Sequence, residues 1–151
     1  MPIYMKFDGI DGDVTEKAHG KWIELQSFSW GLNNSSSAAT GGGGGAGKAS
    51  FQDLHFTAAA SNASPVLMES VCSGKHFPKV EIHLVAQGGD KRAAYLKYEL
   101  QDVLISSYQI GASADERPID QVSLNFAAAL MAVGGASGAA GFCDGSVRPG
   151  G

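Results

Sequence analysis

Apolar and polar residues alternate along much of the chain, and a period of two is the pattern of strands that bury one face. Near the N-terminus, Ile3, Met5 and Phe7 share one parity with more polar neighbours between them. Runs of similar character follow along the chain. Together they predict the strands Pro2–Phe7, Trp22–Leu32, Lys48–Ala58, Lys79–Gln87, Ala93–Gly111 and Asp120–Ala129.

The strand predicted over Trp22–Leu32 carries apolar residues on both parities. Ile23 and Leu25 lie on one parity, whereas Phe28 and Trp30 lie on the other. Either both faces of this strand are buried, or a bulge exchanges the faces midway. The sequence leaves both alternatives open.

The strand predicted over Ala93–Gly111 changes parity as well. Its apolar residues occupy even positions up to Leu100, after which Val103 and Ile105 occupy odd positions. This change predicts a bulge or bend near Asp102. The segment "QGGDKR" is expected to form the hairpin that joins this strand to the preceding one.

One segment, Ser64–Gly74, has the pattern of a helix. Ser64 suits the N-cap, Pro65 the first helical position and Gly74 the C-terminal cap. An apolar stripe at helical spacing is expected to be buried, and it consists of Leu67, Met68, Val71 and Cys72. Antiparallel strands with a single helix predict a mainly β fold, a small antiparallel β-barrel with one short flanking α-helix.

The composition is that of a globular protein and excludes several classes of partner. The 151 residues are 44% hydrophobic and 17% charged, with a net charge of −4, so a general nucleic-acid binder is not expected. No basic run predicts binding to an anionic membrane, and no apolar run predicts membrane insertion. The N-terminus lacks the features of a signal peptide, so we expect synthesis in the cytoplasm and any export to bypass signal peptides.

A glycine-rich segment, "TGGGGGAGKAS" over Thr40–Ser50, partly matches a phosphate-binding loop. The match fails because Ala49 stands where the magnesium-binding hydroxyl belongs, and because a period of two follows where a helix should begin. A nucleotide site at Lys48 is therefore not expected. The residues concerned are Gly41, Gly42, Gly43, Gly44, Gly45, Gly47 and Lys48.

The remaining candidates for chemistry are weak, so we expect no catalytic residues, no metal site and no cofactor. The four histidines, at positions 19, 55, 76 and 83, lack the spacing of a zinc site. Two cysteines, Cys72 and Cys143, are too few for a disulfide framework. We expect them to be unpaired thiols, although the sequence leaves a single bridge open.

Several motifs in a fixed order resemble the Hcp family, the tube proteins of the bacterial type VI secretion system. The segments that carry this resemblance are "AHGKWIELQSFSWG", "GGGGGAGK", "QDLHFT", "SPVLMESVCSGKHFPK", "YELQDVLISSYQIG" and "VSLNFA". They extend from about Ile3 to Ala127, which is most of the chain. No single segment is specific, but their joint order is.

The resemblance implies a β-barrel protomer with a flanking helix, which assembles into hexameric rings that stack into a tube. It implies effector proteins in the lumen, sheath and spike proteins of the apparatus as partners, and secretion to the extracellular space. Ser29 matches a lumen-facing serine of the family and is expected to contact cargo. The family's loop after the second strand corresponds to Gly41–Gly45 with Gly47 and Lys48, and it implies contacts between rings; an idle linker is the alternative for these glycines.

The resemblance fades after Ala127. We therefore expect a family-like barrel domain over residues 1–133 and an atypical Gly- and Ala-rich tail over residues 134–151. Because alanine and glycine are poor strand formers, this tail is expected to be irregular. An unpaired barrel edge would follow and would weaken the rings.

A second class of function is a stand-alone β-barrel module that binds carbohydrate. In that hypothesis Trp22, Phe28 and Trp30 form a platform on which sugar rings stack. Aromatic residues on strands more often belong to a core, so the tube protein is the leading prediction.

Overall fold

The computed structural model describes residues 1–34, 49–86, 94–134 and 139–144 of the chain. Strands dominate these ranges, with one α-helix and one short 3-10 turn at Lys17–His19. The strands are β1 Ile3–Phe7, β2 Ile23–Leu25, β3 Ser27–Ser29, β4 Leu32–Asn34, β5 Ala49–Phe51, β6 Leu54–Ala59, β7 His76–Val85, β8 Ala94–Ser113, β9 Glu116–Val133 and β10 Ala139–Asp144. The helix, α1, spans Ala63–Ser73.

The main sheet is antiparallel and nearly closes into a barrel. Its strand order is β2-β1-β7-β8-β9-β6-β3, with β10 paired to β9, while β4 and β5 form a separate pair. The consecutive strands β2 and β3 bring the two ends of this order together. β2 pairs with β1 at one end, and β3 pairs with β6 at the other. Between them the Gln26 N–H donates to the Thr57 carbonyl at 2.7 Å. The predicted mainly β fold, a small antiparallel barrel with one helix, is confirmed.

The core lies inside this barrel and is built by the strict alternation of side chains along each strand. Large apolar side chains from β1, β6, β7, β8 and β9 meet there with Leu67 of α1. Three phenylalanines form its centre: Phe7 packs edge-on against Phe77 with ring centroids 5.2 Å apart, and tilted against Phe56 at 6.3 Å. Apolar burial of this kind is the main force that stabilises the fold.

Helix α1 begins and packs differently from the prediction. Its N-cap is Asn62, so Ser64 and Pro65 lie within the first turn. Gly74 does form the C-terminal cap, in the left-handed conformation with φ of 66°. The predicted buried stripe is wrong for half of its residues, because Leu67 is buried and Val71 half-buried while Met68 and Cys72 are exposed. The apolar arc is wider than the narrow face that the helix presents to the barrel.

The long hairpin of β8 and β9 confirms the parity change near Asp102. Leu100 is buried on an even position, and Val103 and Ile105 are buried on odd positions. Asp102 has a positive φ of 53°, which lets the chain turn its faces over at this point. A register shift against β9 follows between Ile105 and Ser107.

Two predicted strands are interrupted. Trp22–Leu32 is divided among β2, β3 and β4, and Lys48–Ala58 contains β5 and β6. In the first, the inward-facing residues are Ile23 and Leu25 at odd positions and then the half-buried Phe28 and Trp30 at even positions. Of the two alternatives for this segment, the structure therefore shows an exchange of faces and not burial of both faces. The "QGGDKR" turn lies outside the described residues, but β7 and β8 pair antiparallel as a hairpin requires.

The expectation that residues 134–151 are irregular is wrong for the segment 139–144. This segment forms β10, which pairs with β9 over the register from Ala139 opposite Val133 to Asp144 opposite Ala128. A neighbouring strand supplies the hydrogen-bonding partners that favour extended backbone, so pairing outweighs the low strand propensity of alanine and glycine. The edge that was expected to be unpaired there is covered.

Candidate functional site: a polar wall on the barrel

Four adjacent strands, β3, β6, β9 and the second half of β8, present a polar outer face. Buried or half-buried residues alternate there with outward hydroxyl, amide and imidazole side chains, as at Ser27-Phe28-Ser29 and at His55-Phe56-Thr57. We call this face the polar wall. Its residues are Ser27, Ser29, His55, Thr57, Ser107, Gln109, Gln121 and Ser123, of which Ser123 is only 4% exposed.

The strand register arranges these side chains in two rows that cross all four strands. In the first row, Ser29 lies opposite His55, His55 opposite Ser123, and Ser123 opposite Ser107. Residues directly opposite on one face lie about 5 Å apart and so can interact. The hydroxyls of Ser107 and Ser123 are indeed 2.5 Å apart.

The second row has the same construction. It runs from Ser27 through Thr57 and Gln121 to Gln109. At one end of this row the hydroxyls of Ser27 and Thr57 share a hydrogen bond of 2.7 Å. The two amide side chains at the other end are exposed.

A bulge in β8 strengthens the first row. Both Ser106 and Ser107 contact Ser123, since the register shift places two residues of β8 opposite one of β9. The Ser106 hydroxyl also donates to the carboxylate of Asp53 at 2.8 Å, and the Asn125 amide donates to it at 3.1 Å. These side-chain bonds hold β8 and β9 to the segment before β6, and they place the Asp53 carboxylate at the margin of the wall.

The chemistry of the wall suits weak, reversible contact with polar surfaces. A shallow depression of about 260 Å³ lies on it and is lined in part by His55, Thr57, Ser107 and Gln121. Seven of the eight wall residues carry hydroxyl or amide groups, and His55 is the exception. Neutral hydroxyl and amide groups offer hydrogen bonds to a passing protein without a strong field or a large apolar area.

The sequence predicted one residue of this wall. Ser29 is exposed at the end of β3 and begins the first row. The other seven were missed, although their alternation with apolar residues was visible in the sequence. Strand order could not be read from that alternation, so the sequence did not show that distant segments share one face.

The other predicted site residues are not brought to this wall. Gly41, Gly42, Gly43, Gly44, Gly45, Gly47 and Lys48 lie outside the described residues. The carbohydrate platform is not assembled, because Trp22 packs against His19 and His83 while Phe28 and Trp30 pack against Tyr98. A stacking surface made of all three aromatic residues is therefore wrong.

Behind the wall, a buried carboxylate ties the helix to the β8–β9 hairpin. Asp120 is 1% exposed and accepts hydrogen bonds from the Ser64 hydroxyl at 2.5 Å and the Tyr108 hydroxyl at 2.7 Å. The Ser64 hydroxyl in turn accepts from the Ser61 N–H at 3.0 Å. Burial, followed by the hydrogen bond to Asp120, raises the pKa of Tyr108 to about 12. The wall is thus supported from behind by fully bonded polar groups.

Within the described ranges, no cluster of three or more His, Cys, Asp or Glu side chains could hold a metal ion. Cys72 and Cys143 are free thiols. No helix in the described part of the chain is long and apolar enough to cross a membrane. The structure does bring together His19 and His83, which are 64 positions apart and which sequence spacing treated as unrelated.

Comparison with known proteins finds relatives over most of the chain. Residues 4–132 match the family described as "Type VI secretion system effector, Hcp". Protein hcp1 of Pseudomonas aeruginosa is 39% identical over 126 residues, which cover 83% of this chain and 78% of that protein. A solved structure described as a type six secretion system protein has a TM-score of 0.79 and 32% identity, covering 87% of this chain and 83% of that one. Hcp1 from Salmonella typhimurium, with a TM-score of 0.81, 23% identity and coverage of 97% and 96%, supports the fold alone.

Proposed function

Because the chain belongs to the Hcp family of type VI secretion system proteins, we propose that it is a tube subunit whose six copies close into a ring. The rings stack into a tube, and effector proteins travel in its lumen. Membership of this family supports assembly into the secretion tube. The protomer has no catalytic role in this proposal.

The observation that carries the proposal is the polar wall with two strand edges at its sides. At one side β3 pairs with β6, and no second partner of Ser27–Ser29 lies among the described residues. At the other side β7 pairs with β8 only as far as Leu104, so β8 beyond that residue has β9 as its one described partner. Unpaired edges invite another strand. In a head-to-tail ring, the β3 edge of one copy meets the β8 edge of the next.

The dimensions of such a ring can be worked out from strand spacing. Four wall strands from each of six copies make a closed sheet of 24 strands, and about 4.8 Å per strand gives a circumference of roughly 115 Å. The backbone-to-backbone diameter is then about 37 Å. A folded domain of about 100 residues has a radius of gyration of about 13 Å, which for a compact sphere means a diameter of about 34 Å, so only effectors of about that size or smaller fit.

In this arrangement the polar wall lines the lumen, and Ser29 contacts cargo together with His55 and Thr57. Outside the lumen, the tube meets the sheath and spike proteins of the apparatus. We further propose that Gly41–Gly45 with Gly47 and Lys48 contribute to contacts between rings. Glycines suit this role because backbone without side chains can lie close to a neighbouring surface.

Export through the apparatus belongs to the same proposal, since proteins of the Hcp family are secreted by it. We treat residues 1–133 as the barrel unit and 134–151 as a tail added to it. That the rings are weaker than is typical of the family stays a prediction. An unpaired edge does not cause such weakness at residues 128–133, because β10 pairs with β9 there.

Disulfide trapping tests the ring interface directly. In a background where Cys72 and Cys143 are replaced by serine, Ser29→Cys is combined with Gln109→Cys. Within one protomer β6 and β9 separate the strands of these positions, so the two residues lie at least about 14 Å apart, which is beyond the reach of a disulfide. Any bridge must therefore join two copies.

A small panel of variants samples different registers between neighbouring copies. In each variant Ser29→Cys is combined with a second cysteine at Ser107, Gln109 or Ser113. At least one pair should give a ladder on a non-reducing gel that ends at six subunits, six times 15.6 kDa or about 94 kDa. The matched control replaces Ser29→Cys by Ser73→Cys, at the exposed end of α1. Absence of any ladder across the panel, or an equal ladder from the control, would contradict this interface.

A further inference from the structure

A compact cluster of aromatic and titratable side chains fastens the segment before β2 onto the outer face of β1 and β7. His19 is 5% exposed and stacks on Tyr4 with ring centroids 4.7 Å apart, and it contacts Trp22 edge-on at 4.6 Å. Its Nδ1 is hydrogen-bonded to the Glu16 carboxylate, and its Nε2 lies 2.9 Å from Nδ1 of His83 on β7. We call these five residues the histidine latch.

The segment that the latch holds is bonded within itself. The Gly12 N–H donates to the Lys21 carbonyl at 2.7 Å, and the Lys21 N–H donates to the Val14 carbonyl at 2.8 Å. The Trp22 N–H donates to the His19 carbonyl at 3.0 Å. Residues 12–22 therefore form a unit that can move away from the sheet without losing these bonds. Among the side chains of this segment, that of His19 is the buried one.

Only one hydrogen atom fits between Nε2 of His19 and Nδ1 of His83, because the two nitrogens are 2.9 Å apart. If His19 is neutral and donates from Nδ1 to Glu16, its Nε2 accepts from Nδ1–H of His83. If His19 is charged, its Nε2–H donates to a bare Nδ1 of His83. This hydrogen bond therefore forms only while at most one of the two rings is charged. A second charge would set two N–H groups against each other at 2.9 Å and remove the hydrogen bond.

The surrounding charges do not compensate for a second proton. On the same outer face, Tyr4 and Lys6 lie on β1, Glu24 on β2, Glu81 on β7 and Lys97 on β8. Lys97 is the residue opposite His83 and opposes a charge there, whereas Glu81 favours it. Burial first, then His19 and Lys97, lower the pKa of His83 to about 4.

Water can reach this position. A small depression of about 120 Å³ lies beside His83 and is lined by Glu81, Lys97 and Glu99 among others. A proton can therefore be taken up without unfolding of the barrel. The closed latch disfavours a second proton, because two N–H groups would face each other across the contact of 2.9 Å, and an open latch would not.

We propose that the histidine latch is an acid-sensitive switch: a second proton on the His19–His83 pair releases residues 12–22 from the sheet and uncovers Tyr4 and His83. The release is local, because the barrel core lies on the other face of β1 and β7. The proposal stands on this cluster alone and does not depend on ring formation.

The direction of the pH effect on latch closure follows from the linkage between proton binding and opening. A closed-state pKa of His83 near 4 lies below its ordinary value of 6.5, so closure is favoured above pH 6.5 and loses this advantage as the pH falls toward 4. Since His83 is half-exposed, we discount the full shift for screening. The opening equilibrium of residues 12–22 should still rise about tenfold between pH 7 and pH 5.

Amide hydrogen exchange on the full chain measures this opening. After correction for intrinsic exchange, protection of the segment 12–22 should fall about tenfold between pH 7 and pH 5, while amides of the β8–β9 core keep their protection. In His83→Gln, which retains polar groups but cannot take a proton, the fall should shrink to less than about twofold. The matched control is His76→Gln, a histidine on the same strand that is exposed and bonded to Asp102 instead; it should behave as the wild type does.

Three results would overturn the proposal: an equal fall in His83→Gln and wild type, no fall in either, or loss of core protection in parallel. If His83→Gln fails to fold, NMR of the histidine rings in the wild-type protein decides. Proton uptake at His83 should then coincide with shifts of the Trp22 indole N–H. Proton uptake near pH 6.5 with that resonance unmoved would contradict the switch.

Discussion

Tyr108→Phe is the sharpest test of how the polar wall is supported from behind. The change removes one oxygen atom and leaves the ring that packs against the core. It deletes the hydrogen bond of 2.7 Å from the Tyr108 hydroxyl to Asp120, a carboxylate that is 1% exposed. Asp120 then keeps only the Ser64 hydroxyl among the two side-chain donors that the structure gives it.

The magnitude follows from the charge and burial of the acceptor. A hydrogen bond to a charged group contributes about 1.5–3 kcal/mol. Tyr108 is itself half-buried, so we expect the lower part of that range, about 1.5–2 kcal/mol of the free energy of unfolding. For a domain of this size, that loss lowers the melting temperature by about 3–8 °C.

Urea denaturation at one fixed protein concentration provides the assay, since assembly would otherwise shift apparent stability. Tyr95→Phe is the matched control, because Tyr95 is 50% exposed and its hydroxyl should contribute less than about 0.5 kcal/mol. In a double-mutant cycle, Ser64→Ala with Tyr108→Phe should cost more than the sum of the single changes by about 1 kcal/mol. Equal costs for Tyr108→Phe and Tyr95→Phe would refute this reasoning.

Three further outcomes are expected. Gly12→Ala would place a Cβ 2.4 Å from the Trp22 carbonyl oxygen, so it should cost about 1–3 kcal/mol in urea denaturation, whereas Gly141→Ala meets open space and should change stability by less than about 0.5 kcal/mol. Gly74→Ala forces a side chain into the left-handed region at φ of 66° and should cost about 1 kcal/mol; no cost would exclude this cap. Because the pKa of folded Tyr108, about 12, exceeds the ordinary 10.0, its stabilisation is complete below pH 10 and lost toward pH 12, so the stability gap between wild type and Tyr108→Phe should narrow across that window.

The periodicity of the sequence was sufficient for features that depend on near neighbours. The change of parity between Leu100 and Val103 was readable, since alternation along a strand is local. The same holds for the cap at Gly74, where glycine fits a left-handed position. The mainly β class followed from the number of such segments.

Features that depend on pairing between distant segments were not readable. Met68 and Cys72 extend the apolar arc of α1, but only the barrel surface decides how much of that arc is covered. β10 forms from alanine and glycine because β9 offers it an edge.

The candidate site shows the same limit. Ser29 was placed through resemblance, while its row partners His55 and Ser123 became neighbours through strand order. Likewise His19 and His83 meet across 64 positions of sequence, and no spacing rule relates them.

In the proposed assembly, copies of this chain close side by side around a hollow lined by the polar wall. Negative-stain electron microscopy of the purified protein at micromolar concentration shows whether such rings form. We predict ring-shaped particles of six subunits with an open centre, about 37 Å across between backbones by strand spacing. A field of uniform particles of one 15.6 kDa subunit, with no rings under any assembly condition, would contradict the account.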